Sequence, residues 1–148
     1  MKYKEIIQDL FSNTEEYYLV HCISADFAMG KGIVVEFNKK FNMKTILKTE
    51  FPNYLDTWKN NQTKFDCILV DRVFNLVTKE RYFNKPTYKT MRGSLELMKN
   101  ICKEKQIKKI AMPIIGCGLD RLKWEKVSEI IKEVFCDMDI EILVCVPK

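Results

Sequence analysis

Lys108-Lys109-Ile110-Ala111-Met112-Pro113-Ile114-Ile115-Gly116-Cys117-Gly118-Leu119-Asp120-Arg121-Leu122 is the stretch whose reading decides the fold. Its start, Lys108 to Ile115, is apolar from Ile110 onward and reads as a strand. A glycine-bearing loop follows, then a helix with Trp124, Val127, Ile130, Ile131, Val134 and Phe135 on one face. The same order occurs upstream. Tyr17-Tyr18-Leu19-Val20-His21-Cys22-Ile23 reads as a buried strand and Ser24-Ala25-Asp26-Phe27-Ala28-Met29-Gly30-Lys31-Gly32 as its loop. Lys31 to Phe41 reads as a helix with Ile33, Val34, Phe37 and Phe41 on one face. Four of the five glycines lie in these two loops. Glycine lets backbone approach a ligand closely and gather N–H groups on one point, and a following helix adds the positive end of its dipole. Such a loop suits a phosphate, and two of them suggest a pocket for a nucleotide-like ligand. Tight strand-to-helix turns also use glycine, so one loop alone leaves both readings open.

The other segments complete a mixed α and β order. A helix is expected from near Phe51-Pro52 to about Asn60. Cys67-Ile68-Leu69-Val70 and Val73-Phe74-Asn75-Leu76-Val77-Thr78, separated by Asp71-Arg72, suggest an antiparallel hairpin, although Asp-Arg is not a favoured turn. Lys85-Pro86-Thr87-Tyr88 opens a long helix with Tyr88, Met91, Leu95, Met98, Ile101 and Cys102 at helical spacing and Pro86 in its first turn. Ile140 to Val146 closes the chain as a buried strand. Strands feeding helices predict a mixed sheet covered on both faces, with ligands beyond the carboxyl ends of the strands.

The 148 residues suit one domain with a substantial core, and 47% hydrophobic with 30% charged residues is ordinary for a globular protein. No apolar run approaches the roughly 18 residues of a membrane span. Met1-Lys2-Tyr3-Lys4-Glu5-Ile6-Ile7 lacks the apolar centre of a signal peptide, so a cytoplasmic location, or a nuclear one in a eukaryote, is expected. Six cysteines without a Cys-x-x-Cys pair, and a single histidine, predict no structural metal and reduced core thiols. The net charge is +5. Lys79, Arg81, Lys85, Lys89 and Arg92, against one acid, Glu80, could attract an anion or form a solvated face. No nucleic-acid-binding motif accompanies them.

Several stretches together carry a resemblance: Asp9-Leu10-Phe11, His21-Cys22-Ile23-Ser24 with Asp26, Met29-Gly30-Lys31-Gly32-Ile33, Lys85-Pro86-Thr87-Tyr88, and Met112 to Leu122 with Trp124-Glu125. In this order they resemble the macrodomains, and within them the terminal ADP-ribose protein glycohydrolase subclass. The resemblance implies an α/β protein, a three-layer α/β/α macrodomain with a mixed central sheet, spanning residues 1–148 as a single domain. It implies an enzyme that binds ADP-ribose over the sheet and removes mono-ADP-ribose from proteins, where it is esterified through the distal ribose to glutamate or aspartate. A lysine attacks the anomeric carbon to form a lysyl–ADP-ribose adduct, and an aspartate resolves it. These residues fall on Lys85 and Asp120. Asp9, with Leu10 beside it, falls at the adenine. Ser24, Gly30, Gly32, Ile115, Gly116, Cys117, Gly118 and Leu119 fall around the distal ribose and diphosphate. No cofactor or metal is implied, and a monomer is expected. Lys31, Phe27 and Cys145 depart from the family pattern and put substrate preference in question. The alternatives are release of ADP-ribose from a nucleic-acid base, as macrodomain antitoxins of this subclass do with thymidine in DNA, hydrolysis of small derivatives such as the acetyl ester or terminal phosphate, and a reader that only binds.

Amine attack at a latent aldehyde carbon is covalent catalysis that requires a neutral lysine. With an ordinary lysine pKa, neutralisation at pH 7 costs roughly 4.6 kcal/mol. A diphosphate and Asp120 would both favour the charged form, whereas desolvation in a closed cleft would oppose it. Read by spacing alone, Lys85 is an exposed lysine before a helix and Asp120 a helix cap; the resemblance reverses both readings. His21 is expected as a hydrogen-bonded core residue, Cys117 as a small loop residue, and Trp124 as a core anchor.

Overall fold

Six strands form one mixed sheet in the computed structural model, which describes residues 1–13 and 15–147. The strands are β1 (Lys2–Ile7), β2 (Tyr18–Ser24), β3 (Asp66–Val70), β4 (Val73–Lys79), β5 (Lys109–Met112) and β6 (Glu141–Val146), ordered β1-β6-β5-β2-β4-β3. All neighbours are parallel except the edge hairpin β3–β4. Val70 pairs with Val73, so the hairpin turns on Asp71-Arg72 as expected, with Asp71 supplying a φ of 50°. Aspartate tolerates that left-handed conformation better than most residues.

Helices cover both faces. On one, α4 (Tyr88–Lys105) and α5 (Trp124–Phe135) bury Met91, Leu95, Met98, Val127, Ile131 and Phe135 against Val20, Phe74, Leu76, Ile110, Ile142 and Val144. On the other, α1 (Val34–Phe41), α2 (Met43–Glu50) and α3 (Tyr54–Trp58) bury Phe37, Met43, Leu47 and Trp58 against Leu19, Ile23, Val77 and Leu143. Alternate residues of each strand thus serve opposite cores, the period-2 pattern of a sheet buried on both sides. This is the expected three-layer arrangement.

Several boundaries differ from the sequence reading. α1 starts at Val34 rather than Lys31, which leaves Gly30, Lys31 and Gly32 in the loop. α2 was not anticipated. Asn42, at φ 53°, returns its N–H to the Asn38 carbonyl, ends α1 and starts α2 without a glycine or proline to mark the break. The segment expected from Phe51 to Asn60 is helical only over Tyr54–Trp58. Pro86 precedes the cap rather than occupying the first turn of α4. Thr87 is the N-cap, accepting from the Thr90 N–H while the Thr90 hydroxyl accepts from the Thr87 N–H, a reciprocal capping box. β5 stops at Met112, so Pro113 to Ile115 belong to the loop.

The topology places the site. From β2 the chain leaves for the α1 face, and from the adjacent β5 it leaves for the α5 face. Neighbouring parallel strands whose connections diverge leave a crevice at their carboxyl ends.

Candidate functional site

A cleft of about 1050 Å³ opens over those carboxyl ends. It runs from the segment after β1 (Asp9, Leu10) past β6 (Cys145), the β5 and β2 loops, and the end of β4 (Lys79). At about 4.8 Å per strand, β1 to β4 spans roughly 19 Å, room for an extended ligand with its centre over β5 and β2.

The structure gathers most of the expected residues here. Asp9, Leu10, Ser24, Gly30, Gly32, Ile115, Gly116, Gly118, Leu119, Lys85 and Asp120 all line the cleft. Cys117 is not among the lining residues; its thiol donates to the Ile115 carbonyl at 3.3 Å and packs against the α4/α5 core. Burial pushes that thiol up to about 11, which disfavours the thiolate a nucleophile needs and fits a loop residue. Asp9 accepts from the Phe11 N–H at 3.1 Å, bending the chain into a 3-10 turn over Leu10–Asn13.

The two loops gather donors differently. Ile33, at the N-cap of α1, makes no side-chain cap hydrogen bond, and Ile33 and Val34 line the cleft. The Val35 and Glu36 N–H groups turn back onto the Gly32 and Ile33 carbonyls, so what the N-terminus of α1 brings to the cavity is chiefly its positive dipole end. α5 does not contribute in this way. It begins only at Trp124, and neither Trp124 nor its cap Lys123 is a lining residue. In the second loop the Leu122 N–H closes onto the Gly116 carbonyl at 2.8 Å, fixing a compact turn from Gly116 to Leu122. Lys31, Lys40, Lys79 and Lys85 line the cleft beside the carboxylates of Asp9, Glu36 and Asp120.

At the β4 end, Lys85 Nζ donates to the Leu119 carbonyl at 2.7 Å, one residue before Asp120. Asp120 itself is held by Lys79, Nζ to Oδ1 at 2.5 Å, with the two side chains only 13% and 15% exposed. That partner was not read from the sequence. The basic run thus divides: Lys79 and Lys85 turn into the cleft, while Arg81 meets Glu80 at 3.8 Å and Arg92 pairs with Glu133. Asp26 is a second residue without an assigned role. Its carboxylate accepts from the Ser24 hydroxyl at 2.5 Å, the Ala28 N–H at 3.2 Å and the Tyr82 N–H at 3.0 Å, so it fastens the first loop to the segment carrying Lys85. The backbone adds Ala25 N–H to the Lys79 carbonyl and Asp26 N–H to the Glu80 carbonyl.

His21 is fully buried and stays outside the chemistry. It shares a 2.5 Å hydrogen bond with Asn75 and stacks on Phe37, and burial lowers its pKa to about 4. Trp124 packs half-buried on the α4/α5 core. Phe27, a departure from the family pattern, is buried and stacks on Tyr54. Among the described residues no group of His, Cys, Asp and Glu is arranged to hold a metal, and no helix is long and apolar enough to cross a membrane.

A sequence profile described as Macro domain matches residues 20–131. The chain belongs to the macro domain family. This macrodomain is 44% identical to the ADP-ribose glycohydrolase OARD1 of Bos taurus over 142 residues, 92% of this chain and 86% of that protein. Its fold is similar to the macrodomain of Mycobacterium tuberculosis DarG, with a TM-score of 0.76 and 20% identity over 99% of this chain and 97% of the other. It is also similar to Thermosipho africanus DarTG in complex with ADP-ribose, with a TM-score of 0.75 and 19% identity over 99% of this chain and 42% of the other.

Proposed function

We propose that this macrodomain is an ADP-ribosyl hydrolase that releases mono-ADP-ribose from glutamate and aspartate esters through an adduct on Lys85. The observation that carries the reading is the convergence at the β4 end of the cleft. The Lys85 amine rests on the Leu119 carbonyl, and the next residue, Asp120, lines the same wall. The OARD1 relative is named as an ADP-ribose glycohydrolase and one structural relative is described with ADP-ribose bound, which supports the ligand and the reaction class.

The diphosphate would take the N-terminus of α1 and the turn from Gly116 to Leu119, and the adenosine would extend toward Asp9 and Leu10. That leaves the distal ribose between Lys85 and Asp120. The Lys85 amine, after losing a proton, gives its electron pair to the anomeric carbon. The bond from that carbon to the ester oxygen breaks with its pair on oxygen, so the amino-acid side chain leaves as a carboxylate. Water then adds to the same carbon, Asp120 takes the water proton, and the carbon–nitrogen bond breaks to return the amine. Lys85 is exposed, and its amine is engaged by the Leu119 carbonyl. Bound substrate must therefore displace that contact before attack.

The test is release of free ADP-ribose from a glutamate-modified protein, with ADP-ribosylated DNA in parallel. The proposal expects release from the protein and its loss in Lys85→Ala. Release from DNA alone would overturn the ester assignment.

A further inference from the structure

We infer that Lys79 is a positioning residue for the second half-reaction: its ammonium holds the Asp120 carboxylate where it must act to resolve the adduct on Lys85. The inference rests on the function proposed above and goes beyond it, because it assigns the second lysine at the β4 end of the cleft a distinct role.

Three observations carry it. The Lys79–Asp120 pair is short, at 2.5 Å, and both side chains are largely withdrawn from water. An exposed ion pair of this kind would contribute little, but a largely buried one leaves a carboxylate poorly compensated when its partner is removed. Asp120 also sits in a loop, between Gly118 and Arg121, the latter at φ 61°, where no strand or helix fixes its side chain. Lys79 ends a central strand, so it can lend that loop the precision of the sheet.

The third observation is the strand itself. Along β2 and β4, His21 pairs with Asn75, Cys22 with Leu76 and Ile23 with Val77. Ser24 then pairs with Lys79, and Thr78 is skipped. The irregularity falls at the last pair of both strands, and such bulges re-aim residues beside active sites; the residue it affects here is Lys79. Thr78, left out of the pairing, is buried with a hydroxyl that finds no partner among the described residues. The strand therefore gives up a hydrogen bond at the point where it delivers Lys79 to Asp120. Lys85 serves a different position, since its amine rests on the Leu119 carbonyl.

The experiment uses the whole chain with a glutamate-ADP-ribosylated protein, reading steady-state release, intact mass after a single turnover, and ADP-ribose affinity. Lys79→Met should bind ADP-ribose within about threefold of the parent, since uniform binding is not what is lost. It should form adduct but release product up to about 100-fold more slowly, the effect expected of a misplacement near 1 Å. Covalent ADP-ribose should then accumulate on Lys85, and Lys79→Arg should restore turnover. A merely structural lysine would lower stability without trapping adduct. If Lys79→Met does not melt cooperatively, Lys79→Gln is read by the same criteria. Asp120→Ala is run beside it. If Asp120→Ala traps adduct while the Lys79 variant turns over like the parent, or slows without adduct, the role of Lys79 is overturned and the two-step reaction stands. If Asp120→Ala traps none, both fall together.

Discussion

Replacing Gly118 with valine separates binding from folding, because the glycines of the second loop do different work. A Cβ at Gly118 meets nothing within 4 Å, and its backbone lies outside the left-handed region. The fold should accept the change at about 0.5 kcal/mol or less, as at other open surface positions. At about 2–4 °C per kcal/mol for a domain of this size, the melting temperature moves by no more than about 2 °C. The ligand effect is much larger. ADP-ribose at about 100 times its Kd stabilises a protein that binds it only when folded by about 2.7 kcal/mol. That amounts to a rise of about 5–11 °C for the parent. Valine methyls filling the space above the loop should abolish the rise. Gly116 gives the opposite behaviour. It has φ +74°, and its Cβ would stand 2.7 Å from Met91 Cε and 3.1 Å from Leu122 Cδ1. Gly116→Ala should therefore lose about 1–2 kcal/mol from backbone strain alone, before any contact is relieved. The assay is a thermal melt of each variant with and without ADP-ribose. A Gly118→Val protein that keeps the parent's ligand shift would remove this loop from the binding site.

Three further outcomes follow from the geometry. Lys85→Ala should lose turnover by orders of magnitude while ADP-ribose still raises the melting temperature; turnover equal to the parent on ester substrates would end the covalent scheme. Asp26→Ala, which strips acceptors from the Ser24 hydroxyl and the Ala28 and Tyr82 N–H groups, should destabilise by about 1–3 kcal/mol and slow release, measured by melting and single-turnover kinetics. The buried His21 titrates near 4 when folded and near 6.5 when unfolded. The unfolded chain therefore binds the extra proton between those values, and the His21 contribution, complete above pH 6.5, is lost as pH falls toward 4. The loss is on the order of 3 kcal/mol. Urea midpoints from pH 4 to 7 should show this slope in the parent and a shallower one in His21→Gln; equal slopes would contradict the assignment.

The sequence made the two central strands, their loops and the helices after them legible, because apolar runs of the right period ended in glycine. β1 escaped notice. It is an edge strand, Lys2 to Ile7, with Lys4 and Glu5 exposed and Ile7 69% exposed, so no alternation marks it. α2 was hidden because its break from α1 is made by Asn42 in a left-handed conformation rather than by glycine or proline. In the site, the lining of the cleft followed from the loops and the family resemblance. The pairing of Lys79 with Asp120 could not, since it joins residues 41 positions apart and depends on a register shift that no local pattern encodes. Asp26 was visible as a loop residue, but its hold on the Lys85 segment is tertiary as well.

Two lysines line the reactive end of this cleft, and the account rests on one of them carrying the covalent bond. The most direct measurement is peptide mapping of Asp120→Ala quenched during reaction with a glutamate-ADP-ribosylated protein. The account predicts a single ADP-ribose adduct, on Lys85, absent from the Lys85→Ala/Asp120→Ala double variant. An adduct on Lys79, or undiminished release with no adduct on any residue, would contradict it.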